Sequence, residues 1–270
     1  MTLAPVEDAS PAGWVVDSLT TFGTNVVGLV PARFEAYARV FHPAWLGRQD
    51  GRQVTWREIA DGNGKTPHAG MQFRSIVPDG SFDRAGNCLR TQPGLWTSRP
   101  RDGEMPDEIA TELARVLAGF TSTTHESYFA YWEGWGDPSR MVAVRKGAFG
   151  GLRTRLALMK DRTVPPAADS PRAARDQAAH FKTPGRGYFL YRGDIEEIVT
   201  QWQGEGGSFP TMWWPADQAW FVHTEIDSDS TFVGASRACV DALLGVDSLE
   251  VWEAELSQGI TWDSDHINRP

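Results

Sequence analysis

Residues 211–234 read TMWWPADQAWFVHTEIDSDSTFVG. The stretch divides into a tryptophan-flanked turn at Trp214-Pro215-Ala216-Asp217, a strand AWFVHTEID, and an Asp-rich turn that leads back into a partner strand STFVGAS. Pro215 suits the second position of a turn, and Asp217 can bond local amides. Along the strand, successive side chains point to opposite faces. Trp220, Val222, Thr224 and Ile226 therefore share one side, and Phe221, His223, Glu225 and Asp227 share the other. A strand, an Asp turn and a returning strand specify sheet, while periodic segments elsewhere specify helix. The economical architecture is α+β, an antiparallel or mixed sheet with helices packed mainly on one face. The strict strand and helix alternation of a doubly wound parallel sheet is missing.

The face carrying His223, Glu225 and Asp227 puts an imidazole and two carboxylates in a row, about 7 Å apart at ~3.4 Å per residue. A carboxylate beside an imidazole can orient it and raise its pKa, so these three are the candidate catalytic residues of a hydrolase, with a divalent metal as an option. The plainer reading is a solvent-facing strand surface with cross-strand ion pairs, Asp227 and Asp229 shaping the turn. No third ligand is specified nearby, so no metal site and no cofactor are assigned. Trp213, Trp214, Asp217 and Trp220 are the candidate binding residues, because exposed paired indoles can stack on a sugar, a base or a partner side chain. Tryptophan recurs at 132, 135, 202, 252 and 262 near element ends, which favours packing into the core over a binding platform.

Outward from this stretch, the first dozen residues read as a flexible arm and 13–270 as one globular domain. Pro31 opens ARFEAYARVF, where Phe34, Tyr37, Ala38 and Phe41 recur at helical spacing, so a helix is predicted there. In VTWREIADG, Thr55 and Glu58 stand at capping-box spacing before a short helix ending at Gly62. Residues 77–105 lack periodicity and read as irregular chain. Asp107 and Glu108 open a second helix whose face is Ile109, Leu113, Val116, Leu117 and Phe120. SYFAYW and GYFLYRG read as strands, MVAVRKGAFGGLRTRLALM as one or two more. DIEEIVTQW follows as a helix capped by Asp194, and SRACVDALL as one capped by Ser236. A basic Pro/Ala-rich mobile loop is expected at about 160–186.

The chain has 270 residues and a net charge of −9. From Asp217 onward eleven acids face two arginines, so the whole excess lies there and the first 216 residues sum to zero. Residues 139–192 hold twelve Lys/Arg and three Asp. Such a charge dipole disfavours nucleic acid and favours a partner protein with a basic surface, unless the two segments neutralise each other within the fold. Two cysteines, Cys88 and Cys239, form no disulfide framework or zinc ligand set and fit a reducing cytoplasm. The N-terminus lacks a signal peptide's basic start and apolar core, and VVGLV at 26–30 is too short to span a bilayer. No membrane association is expected.

Common catalytic signatures are missing. Gly147–Gly151 lacks the strand, helix and downstream acid of a dinucleotide site, and neither a phosphate loop nor a Gly-x-Ser-x-Gly elbow occurs. Arg192-Gly193-Asp194 is better explained as a strand end with a helix cap. FEAYARVFHPA with VTWREIA, SYFAYWEGWG, GRGYFLYRGDIE, and WWPADQAWFVHTEID with TFVGAS resemble a group of uncharacterised bacterial proteins found chiefly in actinomycete genomes. The likeness spans about four-fifths of the chain. It implies a cytosolic bacterial protein of one domain whose aromatic motifs are a fold signature, and it transfers no activity. The leading expectation is a non-enzymatic macromolecule-binding protein, regulatory or immunity-type, using its acidic C-terminal surface. A hydrolase at His223, Glu225 and Asp227 is the alternative, and a glycan-binding module on Trp213 and Trp214 a third.

Overall fold

The computed structural model describes residues 3–47, 51–83, 85–135, 178–196 and 209–268. The run ARFEAYARVF, expected as a helix, forms instead a strand at Ala36–Phe41 with neighbours on both edges. Its spacing satisfies two periods at once. Ala36, Ala38 and Val40 face one side, Tyr37, Arg39 and Phe41 the other, and all six are buried. A strand covered on both faces loses the polar alternation that marks a half-exposed one, so its apolar pattern mimics a helix.

In chain order the strands are β1 (Ala4–Pro5), β2 (Ala36–Phe41), β3 (Ala44–Leu46), β4 (Arg52–Val54), β5 (Ser127–Trp132), β6 (His180–Thr183), β7 (Arg186–Gly193), β8 (Met212–Pro215), β9 (Phe221–His223), β10 (Ser230–Ala235) and β11 (Val251–Glu253). Nine of them make one sheet in the order β1-β7-β5-β8-β9-β10-β2-β11, with β6 also on β7. Every pairing is antiparallel. β3 and β4 form a separate hairpin. Among the described residues the α-helices are α1 (Gly13–Ser18), α2 (Trp56–Gly62), α3 (Phe73–Ile76), α4 (Asp107–Ala118) and α5 (Arg237–Leu244). The fold is α+β.

One sheet face, with Ala38, Phe129, Trp213, Trp220, Val222 and Val233, packs on Ile109, Leu113 and Leu117 of α4 and on Cys239, Val240 and Leu243 of α5. The opposite face, with Leu190, Trp214, Phe221 and Phe232, is covered by α1 and by Val26, Leu29 and Val30. At the far corner, Phe41 joins Trp56, Ile59, Phe73 and Trp96 from α2, α3 and the loop beyond.

The predicted caps form. The Thr55 hydroxyl accepts from Glu58 N–H, and the Glu58 carboxylate accepts in return from Thr55 N–H at 3.0 Å. Ser236 caps α5 through Cys239 N–H at 3.2 Å. Where a flexible arm was expected, residues 3–12 run against the fold. Ala4–Pro5 pair with β7, Val6 and Ala9 pack on the core, and Ala12 is fully buried. The expected loop also ends early, because residues 180–186 already belong to the β6–β7 hairpin. Residues 160–177 of that segment, the strands expected in MVAVRKGAFGGLRTRLALM, and residues 197–202 of DIEEIVTQW lie outside the described residues.

Candidate functional site

β9 carries His223 into the middle of a row that the register fixes. Met212, His223, Phe232, Arg39 and Trp252 are cross-strand neighbours on five successive strands. The alternation read from sequence holds: Trp220 and Val222 enter the helix-covered core, Phe221 and His223 the opposite face. His223 is 3% exposed. Its Nδ1 lies 2.7 Å from the Leu29 carbonyl. A carbonyl only accepts, so Nδ1 carries the hydrogen. Nε2 makes no hydrogen bond and stands 3.5 Å from a Glu225 carboxylate oxygen.

The other Glu225 oxygen accepts from Arg186 Nη2 at 2.7 Å and Nε at 3.2 Å. Burial opposes ionisation of Glu225, but the nearby His223 imidazole and the hydrogen-bonded Arg186 guanidinium outweigh it and hold the carboxyl below its ordinary range. Arg186 also reaches Asp227 at 2.8 Å, and its guanidinium lies between Phe22 and Trp132 at 5.0 and 5.2 Å. Asp227 itself projects into solvent, its side chain 79% exposed. Buried Tyr188 has its phenol pKa pushed up by desolvation and by the Glu225 charge. The three sequence-nominated groups thus share a neighbourhood, but a fourth, Arg186, organises it. Arg186 lay in the basic block and carried no signal of its own except an isolated charge beside the aromatic strand GYFLY.

The tryptophans are core residues. Trp213 and Trp220 meet edge to face at 5.2 Å on the helix side, where the Trp220 indole donates to the Leu117 carbonyl at 2.9 Å. Trp214 occupies the other face, stacked between Tyr128 and Phe221. All three are at most 1% exposed. A stacking platform needs two exposed coplanar indoles, and adjacent strand residues on opposite faces do not form one. Asp217 clamps the turn: its carboxylate accepts from Ser122 N–H at 2.7 Å and from the Thr121 and Ser122 hydroxyls at 2.8 Å. Partial burial would raise this carboxyl, and the bonds from Ser122, Thr121 and Ala219 reverse that and lower it.

Two further buried groups went unflagged by sequence. Arg39 donates to Ser230 Oγ and to the Ala69 and Met71 carbonyls, with Phe41, Trp56 and Phe232 rings around it. Burial lowers its pKa to about 10, against the charges of Asp229, Glu250 and Asp265. On the opposite face, Thr224, Thr231 and His42 form a hydroxyl-imidazole chain with links of 2.7 and 2.9 Å. Burial pushes His42 down to about 4, so the ring is neutral at pH 7.

The acidic segment divides into two populations. Glu225 and Asp265 are buried, and Glu250 caps α2 by accepting from Trp56 and Arg57 N–H. Asp227, Asp241, Asp247, Glu253, Glu255 and Asp263 are exposed. Several of these gather where the sheet ends. Arg237 reaches Glu253 at 2.7 Å and Asp241 at 3.8 Å while its main-chain N–H bonds Glu35 at 2.9 Å, so two carboxylates hold the guanidinium beside β11 and a third bonds the same residue's main chain.

Among the described residues no helix is long and apolar enough to cross a membrane, and no group of three or more His, Cys, Asp or Glu is arranged to hold a metal ion. Neither a protein-family model, nor a curated protein, nor a solved structure matches the chain.

Proposed function

We propose that the protein is a non-enzymatic, macromolecule-binding regulator whose acidic C-terminal surface receives a basic partner protein. The observation that carries this reading is the division of the acids. The buried carboxylates are spent on capping and ion pairs, whereas Asp241, Glu253 and Glu35 meet a single arginine on the surface, with Glu255 two residues on. Exposed charge of one sign steers a complementary partner and sets its salt dependence. A hydrolase at His223 draws less support. Its imidazole is buried beside a carboxylate already paired with Arg186, and Asp227 is solvent-exposed and tied to the same arginine.

The test is capture from a native lysate on immobilised wild type and on the Asp241→Lys, Glu253→Lys double variant, at low salt and at about 0.5 M salt. A basic protein retained by wild type at low salt, released at high salt and absent from the variant is the expected result. Identical recoveries on wild type and variant, or none on either, would falsify the proposal.

A further inference from the structure

We infer that β11 is the docking edge, and that its occupant is a basic, extended segment of a partner protein that adds to the sheet as a further strand. This rests on the acidic-surface reading and names its mode. The register with β2 decides which main-chain groups remain. Phe41 N–H bonds the Glu250 carbonyl and Ala254 N–H bonds the Tyr37 carbonyl. In an antiparallel pair, hydrogen-bonded positions alternate with outward ones. Residues 250, 252 and 254 therefore face β2, and Val251 and Glu253 turn their N–H and C=O groups away from it.

Among the described residues no strand lies beyond β11, and those outward groups have no hydrogen-bond partner. Open edges template strand addition unless they are covered, bulged or charged. Here charge is the device in place, and it also selects the occupant. Glu253 is exposed beside Asp241, and Glu255 is exposed two residues on. Trp252, on the other face, packs under Arg57 at 4.5 Å. Pairing β11 with β11 of a second copy would bring these acids against their own kind, and like charges directly opposite destabilise a ladder. A strand bearing alternate Lys or Arg reverses the sign of that interaction while using the same main-chain groups.

The experiment titrates the full chain with a short synthetic peptide alternating lysine and threonine, a glutamate-for-lysine peptide serving as control, and follows amide hydrogen exchange by NMR. The lysine peptide should slow exchange at Val251 and Glu253 by about tenfold or more, and the control should not. Val251→Pro removes one outward N–H at an edge position, where proline is tolerated, and leaves every charge in place. It should weaken binding about tenfold, and Glu253→Lys with Glu255→Lys should abolish it. Binding that responds to the charge variant, yet survives Val251→Pro and protects neither amide, overturns strand addition and leaves the acidic-surface reading standing. Binding indifferent to both variants, or no binding, overturns strand addition, and lysate capture then decides the acidic-surface reading separately. If Val251→Pro does not fold, the wild-type exchange pattern decides alone.

Discussion

Buried Glu225 is held below the ordinary carboxylate range by two neighbours of different chain origin, the His223 imidazole and the Arg186 guanidinium. His223 comes from the same strand region, and Arg186 from the β6–β7 hairpin. Removing one partner of such a pair strands the other. Arg186→Met should cost about 3 kcal/mol, and pairing it with Glu225→Gln should recover most of that, as read by urea unfolding. The pH dependence follows in sign. Glu225 is depressed in the folded state, so its contribution is present above the unfolded value near 4.5 and is lost as pH falls through the lower folded value. Relative to Glu225→Gln, wild type should lose stability below about pH 4.5. The shared face of Phe221 and His223 was legible, since a period of two is local. Arg186 as the partner was not, because nothing within a strand's own span encodes which distant hairpin lies alongside.

At the scale of elements, local chemistry and tertiary context part company. The capping box at Thr55 and Glu58 is a reciprocal bond between near neighbours, and it formed as read. Thr55→Ala should cost about 1 kcal/mol in thermal or urea unfolding. β2 went the other way. Its helical spacing was real, but six buried positions between β10 and β11 outweigh a weak intrinsic preference. Gly103 supports the same sheet from outside. It takes φ +69°, its N–H bonds the Ser228 carbonyl at 2.7 Å, and an added Cβ would meet the Ile226 carbonyl oxygen at 2.4 Å. Gly103→Ala should destabilise by at least about 1 kcal/mol, with the loss confined to stability and the charge-dependent binding unchanged.

For the whole molecule, the excess negative charge is partly internal. Arg186, from the basic segment, neutralises Glu225 and Asp227, so the two charged segments do pair at this point. Two desolvated groups, His42 and Asp229, then oppose each other in acid. His42 is depressed to about 4 from 6.5, so the unfolded chain binds its proton first and stability falls as pH drops below about 6.5. Asp229 is raised to about 6 by burial, against the pull of Arg39, so the folded state holds that proton and stability rises as pH drops from 6 towards 3.8. Asp229→Asn should therefore stabilise the protein at pH 7, with the gain shrinking to nothing near pH 4. Calorimetry across that range checks both the sign and the window.

Composition and local pattern determined the α+β class, the caps, α4 and α5, the β9–β10 return and the two faces of β9. Each of these rests on contacts within a few residues or on a short period. Tertiary structure alone decided that β2 is a strand, that the tryptophans fill both sides of the sheet, that Arg186 and Arg39 are interior cations, and which acids remain on the surface. Those outcomes depend on which strands become neighbours. In an antiparallel sheet whose order departs from chain order, with β2 placed between β10 and β11, burial is a property of the assembled layers and not of any one segment.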